Sequence, residues 1–285
     1  MPTQPPSAHT SHTYTAKTYQ LLQSLWQMQA IANDGKQVIQ SVASHFLENL
    51  AEGALITHCE QTPYIIGIGG ASGSGKSFLR DTLVQCLSSY CSVADISQDH
   101  YYVDFEGLYP HIPLDRFYHE INLDDPAYIR FDKMAEDLSH LKQKPYGETF
   151  HIPEFRFGTP HQKPSVVSDK RTPVQVARVI ISEGIHAFYH PDVLTHYDLK
   201  VFVEVEESTR KSRWVSRNLR ENRGTTDNMW QTTVDCLNQH ILPTRQNADI
   251  ILHNAASQSQ ITDAVNRIVH LIFGTDAPAS TARIA

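Results

Sequence analysis

The stretch Gly70-Ala71-Ser72-Gly73-Ser74-Gly75-Lys76-Ser77 is a complete GxxxxGK[ST] element, and each residue type in it has a chemical reason. Its glycines let the backbone curl until successive N–H groups converge on a β-phosphate, and a helix opening near Ser77 adds about half a positive charge. Lys76 is placed to neutralise the β- and γ-oxygens of a nucleoside triphosphate, and Ser77 offers a hydroxyl to Mg²⁺. The expected cradle for ATP therefore runs from Gly70 to Phe78. Such a match arises by chance in on the order of one chain in a hundred of this length, fewer still with a strand before it and a helix after it.

A phosphate cradle names no reaction. The guanine-reading Asn-Lys-x-Asp and the Leu-Ser-Gly-Gly-Gln signature of transport ATPases are both missing from the sequence. Instead, a second apolar run ends in Ile96-Ser97-Gln98-Asp99-His100-Tyr101-Tyr102. In an open parallel sheet the carboxyl ends of the strands face the ligand, so Asp99 is expected over the γ-phosphate, aligning an acceptor hydroxyl and receiving its proton late. A plain N-cap role is the alternative. A third run ends in Ile181-Ser182-Glu183-Gly184, bringing a second carboxylate to the same rim, where Glu183 joins Ser77 and Asp99 as a Mg²⁺ candidate. Arg210, Arg213, Arg217 and Arg220 recur at steps of three, four and three, with Arg223 just beyond. Like charges on one helical face repel unless an anion lies opposite, so they read as a lid of about residues 206–226 closing over the transferring phosphoryl group, with Gly224 as its hinge. A solvated face paired with Glu206, Glu207 and Glu221 is the alternative.

The elements that must hold these residues follow from periodicity. Tyr64 to Gly69 is short, β-branched and apolar on both faces, as a buried parallel strand requires. Cys91 to Ile96, Val176 to Ser182, Leu199 to Val205 and Ala248 to Leu252 repeat the pattern, with helical stretches Ser77 to Leu87, Phe131 to Leu141 and Glu207 to Arg220 between them. The order predicts an α/β fold of the P-loop NTPase type, three layers around a mostly parallel five-stranded sheet. Residues 1–15 read as a mobile end, 16–62 as a helical hairpin broken at Asn33-Asp34-Gly35, 63–274 as the main domain closed by a helix from about Gln258 to Phe273, and 275–285 as a flexible tail.

Composition narrows the class. The 285 residues carry 24 Lys+Arg against 31 Asp+Glu, a net charge of −7, which disfavours nucleic-acid partners. No apolar run is long enough to cross a bilayer, and Met1-Pro2-Thr3-Gln4-Pro5-Pro6 lacks the order of a secretion signal, so a cytosolic location with no membrane partner is expected. The four cysteines lack CxxC spacing and read as reduced thiols. His186 and His190 lack a third ligand, and with Phe188 and Tyr189 between them they read as core or surface histidines.

Five elements in order carry a wider likeness: Gly67 to Ser77, Ser97 to Tyr102, Asn122-Leu123-Asp124-Asp125-Pro126, Glu183-Gly184-Ile185, and Leu242-Pro243-Thr244-Arg245-Gln246-Asn247-Ala248-Asp249-Ile250-Ile251. Over about residues 63 to 253 the chain resembles the uridine kinase and phosphoribulokinase family. The resemblance implies ATP- and Mg²⁺-dependent phosphorylation of a hydroxyl on a small sugar-containing acceptor, uridine or cytidine first, and self-association of the chain. It implies Asp99 as catalytic base and Asp124 as acceptor-sugar ligand; Lys76 of the loop and Arg213 and Arg217 of the lid are expected to act on the transferring group. Tyr101, Phe155, His161, Arg220 and Arg223 would complete the acceptor side. The chain departs from the family where a Tyr-Asp-Phe normally precedes the pyrimidine-reading His. Pro153-Glu154-Phe155-Arg156-Phe157 stands there, His161 falls one place late, and the usual Arg-Gly-Arg is Arg223-Gly224-Thr225. The altered pyrimidine reader keeps open a sugar or sugar-phosphate kinase of the phosphoribulokinase type, and a different class also stays open, an ATP-binding regulatory protein without turnover that uses the N-terminal hairpin to grip a partner.

Overall fold

A computed structural model of the chain describes residues 62–88, 91–157, 162–221 and 223–253. The expected N-terminal hairpin, the last helix, both chain ends and His161 lie outside the described residues. In chain order the main elements are β1 (Tyr64–Gly70), α1 (Lys76–Leu87), β2 (Val93–Ser97), α2 (Phe105–Leu108), α3 (Leu114–Glu120), α4 (Phe131–Gln143), β3 (Thr149–Arg156), β4 (Ser165–Gln175) and β5 (Val179–Glu183). They continue with α5 (Pro191–Leu194), β6 (Leu199–Glu204), α6 (Glu207–Arg220), α7 (Asp227–Cys236) and β7 (Ile250–His253).

The sheet has five parallel strands in the order β2-β5-β1-β6-β7. The all-apolar runs are explained by what covers them. Ile66 and Ile68 face Leu79, Leu83 and Leu87 of α1, while Ile65, just before them in β1, faces a second core with Met134, Leu138 and Leu141 of α4. Period-2 alternation thus feeds two buried faces, giving three layers. Among the described residues no helix is long and apolar enough to cross a membrane.

One element was not legible. Thr149–Arg156 and Ser165–Gln175 form an antiparallel two-stranded ribbon outside the main sheet, with a register shift between Pro153 and Phe155. Pro153 and Pro173 interrupt both runs, and proline is tolerated here because each strand has only one partner.

Close approach fixes the centre of the sheet. A Cβ added at Gly67 would stand 2.6 Å from Cδ2 of the Tyr197 ring, which is buried. Gly67→Ala should therefore lower unfolding free energy by about 1–3 kcal/mol, the usual cost of overpacking, with the urea midpoint as the readout. An unchanged midpoint would mean that the ring swings aside freely.

Candidate active site

The loop after β1 is shaped by glycine. Gly70, Gly73 and Gly75 have φ of 140°, 82° and 104°, and a Cβ at Gly70 would stand 2.3 Å from the Val203 carbonyl oxygen. Gly75 is the N-cap of α1, so the amides that open the helix face the loop. Lys76 is buried and its Nζ donates to the Ala71 carbonyl at 3.1 Å, folding the side chain back along the loop. Burial pushes its ammonium below the usual lysine value, and Glu183 opposes that shift. Phe78 is different: its ring is 47% exposed and points to solvent, which leaves only its backbone to the cradle.

The second-strand carboxylate is held by a one-turn 3-10 helix, Gln98–Tyr101. Ser97 caps it, its Oγ accepting from the Asp99 N–H at 3.2 Å, so the N-cap alternative falls to the neighbour and the Asp99 carboxylate is left for the cleft. Burial first, then the Glu183 charge, push Asp99 up to about 6. Tyr101 is a correction to the expected site. It is fully buried beside Asp137, while Tyr102 lines the cleft. In a 3-10 turn, side chains three apart eclipse, so Asp99 carries Tyr102 with it and turns Tyr101 inward.

Glu183 is buried at the end of β5, and its Oε1 faces three donors: Ser77 Oγ at 3.4 Å, Ser97 Oγ at 3.5 Å and Arg80 Nη1 at 3.2 Å. Arg80 was not anticipated. Its signal was its place three residues after Ser77 on α1, the spacing that shares a helical face. The Ser77 hydroxyl and the carboxylates of Glu183 and Asp99 line one cleft, and these hard oxygen donors fit Mg²⁺. Among the described residues no group of three or more His, Cys, Asp or Glu is gathered as a metal cluster.

That cleft, about 430 Å³, brings together Ser72, Lys76, Ser77, Asp99, Asp124 and Glu183 with Arg217 and Arg223. Asp124 is presented by an Asx turn, its N–H donating to Asn122 Oδ1 at 3.1 Å. Phe155 is placed otherwise than expected. It packs behind Tyr102, with ring centroids 5.3 Å apart, and Phe157 lines the cleft instead.

The arginines separate along α6. Arg213 Nη1 donates to the carbonyls of Gly73 and Ser74 at 3.3 and 3.4 Å, and Arg217 Nη2 to Ser72 Oγ at 2.7 Å. Arg223 pairs with Glu221 at 2.7 Å at the cleft wall. Arg220 is a second correction: its side chain is 74% exposed and 3.8 Å from Glu221, because the buried face of α6 follows Arg210, Trp214 and Asn218 instead. Arg210 is itself buried, its guanidinium 4.3 Å over the Trp230 ring, and lines a separate cavity of about 350 Å³ with Ala71, Ser74, Val203 and His253. A third cavity of about 210 Å³ adjoins the cleft through Asp124, Arg217 and Arg223.

The chain is similar to known proteins. A sequence profile of the phosphoribulokinase/uridine kinase family matches residues 65–260. A uridine kinase of Saccharomyces cerevisiae is 33% identical over 74% of this chain, a match that spans 40% of the yeast protein's length. A uridine kinase of Lactobacillus helveticus is 30% identical over 67% of this chain and 87% of its own length. A uridine-cytidine kinase 2-B of Danio rerio is 28% identical over 75% of this chain and 81% of its own. Among solved structures, a candidate fructose transport system kinase from Silicibacter sp. TM1040 shares the fold at 19% identity and a TM-score of 0.51, covering 74% of this chain and 98% of that one. With the profile spanning most of the described residues, and the loop, both strand-end carboxylates and the Asn122 to Pro126 turn converging on one cleft, the chain belongs to the phosphoribulokinase/uridine kinase family.

Proposed function

We propose that the protein is an ATP-dependent kinase that moves the γ-phosphoryl group to a hydroxyl of a nucleoside, uridine or cytidine. The observation that carries this reading is the meeting of Lys76, Ser77, Asp99, Asp124 and Arg217 in one cleft, in a chain whose relatives are named uridine kinases. The glycine loop and Lys76 orient the triphosphate. Arg210 lines a separate cavity that borders the loop at Ala71 and Ser74 and does not include Asp99, Asp124 or Glu183, where the nucleotide's base has room to extend. Asp124 holds the acceptor sugar and Asp99 holds the hydroxyl in line. As the hydroxyl oxygen bonds to phosphorus and the bond to the departing ADP oxygen breaks, Asp99 takes the hydroxyl proton. Arg213 and Arg217 offset charge on the equatorial oxygens. Ser77 and Glu183 would hold Mg²⁺, which neutralises charge on the β- and γ-oxygens when bound.

The altered stretch Pro153 to Phe157 supports a second acceptor class, pentoses and pentose phosphates, because a site that lacks its base-reading donors loses its grip on a base edge. A panel of nucleosides and pentose phosphates, with ATP, Mg²⁺ and ADP formation as the signal, decides between them. Uridine-dependent ADP release is the expected result. Turnover with pentose phosphates alone would move the assignment to the second class. ATP binding without turnover on any acceptor would end the enzymatic reading.

A further inference from the structure

The carbonyl oxygen of Asp124 accepts two hydrogen bonds from side chains outside its own loop: His186 Nε2 at 2.6 Å and Cys236 Sγ at 2.8 Å. A carbonyl can only accept, so the imidazole carries its proton on Nε2. His186 is 1% exposed, with the rings of Phe131 and Tyr189 edge-on to it at centroid distances of 6.5 and 5.6 Å. Its Nδ1 is buried without a partner. A leucine would fill such a space at no polar cost, so the imidazole has to be explained by the bond it makes.

The main chain of the same residue is bonded toward the other acceptor-side carboxylate. His186 N–H donates at 2.9 Å to Oε1 of Gln98, the buried neighbour of Asp99. Gln98 has no room to shift, because a Cβ at Gly184 would stand 2.4 Å from its side chain. Residue 186 is thus a strut, with Gln98 and Asp99 at one end and Asp124 at the other. Cys236, where α7 passes into the π-helical turn Leu237–Ile241, makes the second tie to the same oxygen.

We propose that His186 is a positioning residue that sets the spacing between Asp99 and Asp124, with Cys236 as a second tie on the Asp124 carbonyl. It rests on the reading of these aspartates as the groups that align and hold the acceptor.

His186→Leu removes the donor and keeps the bulk; His186→Gln keeps an N–H within reach of the carbonyl. Steady-state kinetics with the best acceptor of the panel should show the acceptor KM up about tenfold in His186→Leu, the loss expected for one buried hydrogen bond, with the ATP KM within about twofold. His186→Gln should return to within about threefold of the parent, and Cys236→Ala should shift the acceptor KM in the same direction as His186→Leu by a smaller factor. Equal losses in His186→Leu and His186→Gln would mean that the ring only packs, and would overturn the proposal. So would equal rises in both Michaelis constants.

Amide hydrogen exchange of residues 121–129 in the ligand-free protein needs no acceptor. Faster exchange in His186→Leu, restored in His186→Gln, supports the strut, and unchanged exchange refutes it. If the parent turns over no acceptor, the kinase assignment falls while this measurement still decides whether His186 holds the Asp124 turn.

Discussion

Asp99→Asn is expected to lower kcat by about 10³–10⁴-fold while the Kd for ATP stays within about twofold. The amide keeps the shape and one acceptor oxygen of the carboxylate but cannot receive a proton, and Asp99 is no part of the glycine loop proposed to orient the triphosphate. Two further readouts follow from its environment. Burial and the Glu183 charge push Asp99 up to about 6, so kcat/KM for ATP should fall as pH drops through about 6, because the protonated acid cannot take the hydroxyl proton. The variant should lose that limb. The same shift sets the sign for stability. A folded value above the ordinary 3.8 means that the folded state binds the proton more tightly than the unfolded chain. Asp99 therefore costs stability above pH 6, a cost that fades as pH falls toward 3.8. At pH 7.5, Asp99→Asn should stabilise the fold by about 1–3 kcal/mol even as turnover collapses. Near-normal turnover removes Asp99 from the chemistry, and a lower melting temperature removes the account of its burial.

What could be read in advance was what sequence periodicity encodes. Five apolar runs became five parallel strands because a strand covered on both faces needs continuous hydrophobicity, and the glycine loop was legible because its spacing is itself the constraint. The strand ends moved by up to three residues: Val176 to Ser182 became Val179–Glu183, which brings Glu183 inside the last hydrogen-bonded pair. Features set by a turn type or by distant partners stayed hidden. Nothing local says that Gln98 to Tyr101 winds with three residues per turn, so Tyr102 and Tyr101 exchange places between cleft and core. Steps of three and four grouped the arginines of α6, yet which of them faces the loop depends on Trp214 meeting Trp230 at 5.5 Å, a contact with a helix that periodicity had not marked. Arg80 and His186 bond to Glu183 and to the Asp124 carbonyl, residues far away in sequence, so their partners are visible only in the folded topology.

The arginine whose replacement should cost most is Arg217. Its Nη2 lies 2.7 Å from Ser72 Oγ while its Nε is buried with no partner, and it lines both the cleft of Lys76 and Asp99 and the cavity beside Asp124. A guanidinium presents several donors in a fixed plane, so one edge can grip the loop while the remaining N–H groups meet the equatorial oxygens of the transferring group. Those oxygens carry the spread charge of a loose transition state, which makes the contact stronger there than in the bound ground state. Arg217→Leu should then lower kcat by about 10³-fold, with the ATP KM changed by less than about fivefold. Arg217→Lys restores the charge without the planar fork, so it should recover about tenfold of that loss and no more. Arg220→Leu, on the exposed end of the same helix, is the control and should leave turnover within about twofold, since a solvated surface charge contributes little. A raised ATP KM with unchanged kcat in Arg217→Leu would show an arginine that binds nucleotide before the reaction, and α6 would then be a wall of the ATP site and not a lid over the phosphoryl group.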